Sequence, residues 1–317
     1  MAAGLHLSKE QRKQSILPDC YGMKIPQSLT VVTAVLLLVG SNALPARAQD
    51  CLSAGCHQAE VAQPGVHSLA ASGGCLACHA SHTSETENRY LLKTKLPDLC
   101  LDCHADIGVA SRAKVRHAPI FREHSCGLCH SVHAAKAPAL LPASEKELCL
   151  SCHGQDNHLR SKPLRNIARE IEGEVRLHGP VASGECSPCH APHGSNAPRL
   201  LRANYPTGPY APYAQGTYAL CFGCHDQAML KTARTATDTR FRNGDRNLHY
   251  LHVADPRKGR TCTACHASHA GDETGLIRRT GSPFGDWEIP VNFNSAATGG
   301  SCAPGCHASV RYDRSRP

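Results

Sequence analysis

The stretch from His178 to His225 carries the chemistry of this chain in concentrated form. It holds two Cys-x-x-Cys-His sites, Cys186-Ser-Pro-Cys189-His190 and Cys221-Phe-Gly-Cys224-His225. One further histidine, His178, stands eight positions before the first site, and another, His193, follows that site's own histidine by three. Two thiols and an adjacent imidazole in this order are the attachment signature of c-type haem. The thiols add to the two vinyl groups, and the histidine becomes an axial ligand of the iron. The two remaining histidines are imidazoles free to serve as sixth ligands.

The unit recurs. A first copy runs through His67, Cys75-Leu-Ala-Cys78-His79, His82 and Cys100-Leu-Asp-Cys103-His104. A second has His117, Cys126-Gly-Leu-Cys129-His130, His133 and Cys149-Leu-Ser-Cys152-His153. A fourth has His252, Cys262-Thr-Ala-Cys265-His266, His269 and a wider-gap site, Cys302-Ala-Pro-Gly-Cys306-His307. A single site with a four-residue gap, Cys51 to Cys56-His57, leads the series. An apolar doublet separates the paired sites of every unit: Leu91-Leu92, Leu140-Leu141, Leu200-Leu201 and Leu276-Ile277. Repetition of this kind signals one module used several times, each stacked on its neighbours.

Nine sites use all 18 cysteines that follow residue 48, and seven have the two-residue gap. Zinc accounts for Cys-x-x-Cys pairs and an oxidising compartment accounts for disulfides, but neither requires a histidine after every second cysteine. Besides the nine motif histidines and His6, eleven remain. The repeat-related ones are the expected sixth ligands: His67, His82, His117, His133, His178, His193, His252 and His269. His124, His158 and His249 are the candidates for the ninth. Met229 is the one methionine after residue 48, so His/Met ligation is at most a minority. A haem with two strong axial imidazoles has no open position for substrate and exchanges electrons only.

These motifs resemble those of the multihaem c-type cytochromes of the doubled-CXXCH class, across nearly the whole chain after residue 48. The resemblance implies low-potential, bis-histidine haems packed in close pairs, with little regular secondary structure. The leading site Cys51–His57 departs from the even-numbered pattern. The fold class expected is a multihaem cytochrome fold: mostly irregular chain with short α-helices wrapped around stacked, covalently bound haem c, with little β-structure. Nine haems are expected, or seven if the wide-gap sites Cys51–His57 and Cys302–His307 stay empty.

The elements that must position these residues are modest. The 317-residue chain has 4% aromatic residues and a single Trp, too few large side chains for an ordinary core, so the porphyrins are expected to supply the buried apolar area. Without haem the chain is expected not to fold. The apolar run Leu29–Val39, with Lys24 before it and Ala46-Arg47-Ala48 after it, predicts an export signal over 1–48 cleaved before Gln49. Eleven residues are too few to span a bilayer, so no membrane span is expected after cleavage. Met23 would give the signal a more ordinary length than Met1. The expected organisation is then a single-haem segment at 49–66 and two-haem modules at 67–116, 117–177, 178–248 and 249–317.

Between modules, a helix is predicted from Pro163 with Leu164, Ile167, Ile171 and Val175 on one face. The polar stretch Lys231–Arg246 reads as a loop. The insert Asn204–Tyr218 reads as an extended surface loop; the sharper alternative sets Tyr205, Tyr210, Tyr213 and Tyr218 against a haem face or a partner. The insert Gly271–Gly300, with Trp287 and Ile289–Phe293, is expected to add one edge strand and, with the leading site, to serve in docking.

After residue 48 there are 29 Lys and Arg against 24 Asp and Glu. Two propionates per haem would offset that excess, so no nucleic-acid partner is expected. The expected function is electron transfer through a haem relay, in the periplasm, at the outer membrane or outside the cell. It would act as a shuttle, a rod inside a porin, or a subunit of a filament. Its partners are redox proteins or copies of itself, with an outer-membrane porin in the second case. The rival reading is a reductase or oxidase of a small nitrogen or sulfur compound, which needs one haem without a distal ligand. Haem storage fits less well, because covalent attachment prevents release.

Overall fold

The computed structural model describes residue 52 and residues 57–80, 91–156, 164–284 and 287–316. The export signal, Cys51, Cys56, His82, His158 and Pro163 lie outside the described residues.

Regular structure is sparse and short. The second site of each of the first three modules lies on a helix: Asp98–Leu101, Glu145–His153 and Ala219–Phe222. The longest of these has nine residues and begins with a reciprocal cap, in which Ser144 accepts from the Glu147 N–H and Glu147 accepts from the Ser144 N–H. That box satisfies two amides that a short helix otherwise leaves open. First sites lie on single 3-10 turns, Cys75–Ala77, Ser125–Leu128 and Cys262–Ala264.

Two backbone devices repeat with the modules. The first is the apolar doublet. Its leading residue has a positive φ in each copy: Leu91 46°, Leu140 57°, Leu200 57° and Leu276 56°. The residue before it is also left-handed in three copies: Ala139 55°, Arg199 58° and Gly275 74°. Non-glycine residues pay for this conformation, and the return is a tight reversal. The second doublet residue then pairs with the motif histidine in the antiparallel bridges His79–Leu92, His190–Leu201 and His266–Ile277.

The second device is a clasp between consecutive modules. Gly65–Val66 pairs with Ala134–Ala135, Val115 with Ser195, and Arg176–Leu177 with Ala270–Gly271, all antiparallel. In each case the strand that leads into one module's first histidine is stitched to the segment after the next module's third histidine. The backbone of His67 donates to the carbonyl of His133 at 2.8 Å, and that of His178 donates to His269 at 2.9 Å. Small buried residues make the approach close: Ala134, Ala135, Ser195 and Ala270. At the middle clasp Gly194 has φ 142°, and a Cβ there would lie 2.0 Å from the carbonyl oxygen of Ala110.

Buried apolar side chains are few and unevenly placed. Modules 1 and 2 bury only Ala134 and Ala135 among the described residues. The one cluster of larger groups, Leu201, Tyr205, Tyr218, Leu230 and Val253, joins modules 3 and 4. This revises the expectation for the tyrosine-rich insert. Tyr205 and Tyr218 are 6% and 1% exposed, so they serve the core and not an outside partner. Tyr205 Oη donates to Thr263 Oγ1 at 3.0 Å and accepts from the Thr263 N–H at 2.8 Å, while Tyr218 donates to the carbonyl of Arg260. Tyr210 stays more open, under the Arg260 guanidinium at 5.1 Å.

Three other expectations change. The linker helix covers only Ile167–Ile171; Gly173 turns left-handed after it, and Val175 is 78% exposed instead of completing an apolar face. The stretch Lys231–Arg246 is an organised element. Arg242–Asn243 pairs with Arg246–Asn247, Arg234 forks onto Asp245, and Thr235 and Thr239 are buried. The last insert yields more than one edge strand. Thr280–Phe284 pairs with Trp287–Pro290, and Gly299–Cys302 lies between Phe293–Ala296 and Val310–Asp313. Gly299 permits that centre strand, since a Cβ would stand 1.9 Å from the carbonyl oxygen of Tyr312.

Candidate haem-binding sites

Each narrow-gap motif closes one helical turn on itself. The histidine N–H donates to the carbonyl of the first cysteine at 2.9–3.0 Å in the sites that begin at Cys75, Cys100, Cys126, Cys186, Cys221 and Cys262. In a helical turn, positions i, i+3 and i+4 share a face. A two-residue gap therefore sets both thiols and the imidazole on one side, as double thioether attachment and axial ligation require. No disulfide joins any of the sixteen described motif cysteines. The Cys302–His307 site is built differently. Cys302 ends a strand, and the His307 N–H turns back to the carbonyl of Pro304.

Opposite the motif histidines stand other histidines. The ring centroids of His67 and His104 are 6.2 Å apart, His79 and His133 5.9 Å, and His117 and His153 6.3 Å. His130 faces His193 at 6.1 Å, His178 faces His225 at 6.1 Å, His190 faces His269 at 6.4 Å, and His249 faces His266 at 6.3 Å. With metal–nitrogen bonds of about 2 Å, and about 1 Å from nitrogen to ring centroid, two imidazoles on opposite sides of one metal have centroids about 6 Å apart. The residues present thus fit an iron held by two histidines at seven places. His252 lies close enough to His307 for the charges to interact. His57 is described, whereas His82 is not. His124 caps a 3-10 turn in a left-handed conformation and faces no motif histidine among the described residues.

The pairs follow a rule that adjacency in the chain does not give. A module's leading histidine faces its own second site: His67 with His104, His117 with His153, His178 with His225. The histidine three after a motif faces the first site of the module before: His133 with His79, His193 with His130, His269 with His190. The clasps hold this arrangement: the outer two tie the backbones of two such histidines directly, and the middle one ties Val115 and Ser195, each two residues from His117 and His193. In module 4 the first-site histidine, His266, is faced by His249.

Several groups orient the rings. In the first sites of modules 2, 3 and 4 the motif Nδ1–H donates to the left-handed residue before the doublet: His130 to Ala139 O at 2.8 Å, His190 to Arg199 O at 2.9 Å, His266 to Gly275 O at 2.7 Å. This fixes the tautomer and leaves Nε2 with its lone pair. The facing histidines have more varied partners. His133 Nδ1 reaches Glu60 at 2.8 Å and His269 Nδ1 reaches Glu170 at 3.2 Å, while His249 Nδ1 meets Thr239 Oγ1 at 2.7 Å. Neither the two carboxylates nor the threonine repeats with the modules, so the sequence carries no signal for them. The carbonyl contacts did have one, the doublet itself.

Helix Leu248–Val253 carries His249 and His252 three residues apart. Asn247 caps it by accepting from the Tyr250 N–H and donating to the carbonyls of Met229 and Thr232. Phe241 packs against both rings at 5.2 and 5.7 Å. Burial holds His178, His190, His193, His252 and His266 below the usual imidazole range, and His249 is pushed down to about 4. Neutral imidazoles are the form that binds metal.

Consecutive sites also approach one another through sulfur. Cys100 stands close to Cys126, Cys149 to Cys186, and Cys221 to Cys262, near enough for each thiol to shift the ionisation of the other. The proximity raises the first thiol of the first two pairs and lowers its partner, Cys126 to about 6 and Cys186 to about 7. Donor atoms of Glu145, Cys149 and Cys186 lie within 4.8 Å of one another, the spacing of a small metal site. The carboxylate is already engaged, however, by the N–H groups of Cys186 and Ser187. The two thiols also belong to different haem motifs. The cluster is better read as a bolt between modules 2 and 3.

Comparison with known proteins agrees with the motif reading. The family described as "Doubled CXXCH motif" matches residues 67–108, 117–158 and 178–230. A curated relative, the multiheme cytochrome MtrA of Shewanella baltica, is 26% identical over 226 residues, covering 68% of this chain and 57% of that protein. The chain thus spans little more than half the length of this relative.

Proposed function

The chain belongs to the doubled-CXXCH class of multihaem c-type cytochromes, and on that premise we propose that it is an electron relay built on nine bis-histidine haems. The observation that carries the reading is the set of seven facing imidazole pairs at 5.9–6.4 Å. Two more pairs complete it. His252 serves the site of His307, and by the register of the other modules His82 serves the site of His57. When bound, each haem supplies a one-electron ferric–ferrous couple.

The chain's own residues do three things for those couples. The paired thiols fix each group at a defined point of the chain. The facing imidazoles would hold each iron between them, which would keep small substrates off it and leave electron exchange as the available chemistry. The pairs Cys100–Cys126, Cys149–Cys186 and Cys221–Cys262 place the last site of one module beside the first of the next, which suits a relay that runs along the sequence. The haems wrapped by the short elements supply the apolar interior that modules 1 and 2 lack.

The setting we propose is export, with the haems attached outside the cytoplasm and redox proteins, copies of the chain or an outer-membrane porin as partners. No helix among the described residues is long and apolar enough to cross a membrane. The test is the ferric EPR spectrum of the protein purified with its haems. All signals should be low-spin. A high-spin signal integrating to one haem would replace the relay by an enzyme with one open iron.

A further inference from the structure

Two of the facing histidines are backed by carboxylates, and the better built of these contacts is Glu170 on His269. Resting on the bis-histidine reading above, we propose that Glu170 is a positioning residue that lowers the potential of the haem held at Cys186–His190. Glu170 sits on the linker helix Ile167–Ile171, 99 residues from His269 in the chain. Its Oε1 lies 3.2 Å from His269 Nδ1, and its side chain is 16% exposed.

The carboxylate is held at both oxygens, one facing the His269 ring and the other the Arg165 guanidinium. Arg165 Nε stands 2.8 Å from the other oxygen, Oε2. An ionised carboxylate that accepts from Nδ1–H draws the proton away from the ring and makes Nε2 a stronger donor to the metal. A stronger donor, with a negative charge close by, favours ferric iron over ferrous and lowers the potential.

Two other facing histidines have uncharged partners. His249 has a hydroxyl partner and His252 a backbone carbonyl, and neither carries charge. Glu60 on His133 is a weaker version, since its side chain is 51% exposed and water screens it. The linker helix thus does more than join modules 2 and 3; it delivers one charged acceptor to one ring of module 4. The sign of the effect also predicts that of Arg165. Without its cation, Glu170 would act on His269 uncompensated.

The experiment uses the full haem-loaded protein and protein-film voltammetry. Glu170→Gln should leave the haem count and the low-spin EPR signals unchanged and move about one-ninth of the redox envelope to higher potential. Arg165→Gln should move the same fraction the other way. In a His269→Met background, where the ring N–H is gone, Glu170→Gln should produce little further shift. An unchanged envelope in Glu170→Gln overturns the proposal, and so does loss of a haem, which would make Glu170 a strut and not a tuner. High-spin signals in the unaltered protein would instead defeat the bis-histidine reading beneath it, so the two failures are told apart.

Discussion

At the scale of single residues, the choice of facing histidine would decide which irons are closed. His133 and His193 each sit in one module and face the motif histidine of the module before. Replacing either with Ala should open one haem, seen as a high-spin ferric signal and as carbon monoxide binding to about one-ninth of the ferrous haems. His124→Ala should open none, because His124 caps a turn and faces no motif histidine among the described residues. An open haem in that variant would redraw the ligand set. The three candidates for the ninth ligand could not be ranked from the sequence. His249 gains its position from Asn247, Thr239 and Phe241, which come from a stretch that reads as plain polar loop.

At the scale of elements, short pieces of backbone carry loads that long helices carry elsewhere. Asn247 is 1% exposed and its side chain serves one amide and two carbonyls. Asn247→Ala would strand those groups and release the helix that holds His249 and His252. The expected loss is about 3 kcal/mol, read from the shift in guanidinium midpoint, since buried unpaired polar groups cost about 1–3 kcal/mol each. The middle clasp offers a second test. Gly194→Ala would force a Cβ into the Ala110 carbonyl at a φ of 142°. It should destabilise the protein by about 2 kcal/mol or more, since strained backbone alone costs about 1–3 kcal/mol. A neutral result would mean that the Val115–Ser195 bridge is dispensable. The apolar doublet was visible in the sequence as a repeat, but its job was not. It exists to reverse the chain so that a carbonyl meets the motif Nδ1.

For the whole molecule, the uneven core matters most. Modules 3 and 4 share a cluster around Tyr205 and Tyr218, whereas modules 1 and 2 bury two alanines among the described residues. The chain made without haem should therefore be digested by a dilute protease throughout, and first in residues 57–156. A protease-resistant N-terminal half would show that porphyrin is not its core. Intact mass of the loaded protein should give nine haems on a chain starting at Gln49, and seven if the two wide-gap sites stay empty.

The sequence by itself determined the chemistry. Thioether attachment needs two thiols and an imidazole within one turn of chain, and so local a requirement is written in consecutive residues such as Cys126 to His130. The surplus of histidines, and hence the closed irons, could be counted the same way. Only the tertiary structure decided which histidine faces which. Those partners lie well apart in the chain and meet through clasps of one or two residues a side, too short to read as strands from the sequence. The same holds for Glu170, which stands 99 residues from His269, and for the tyrosines of the third module, whose burial depends on a neighbour that the local sequence does not mention.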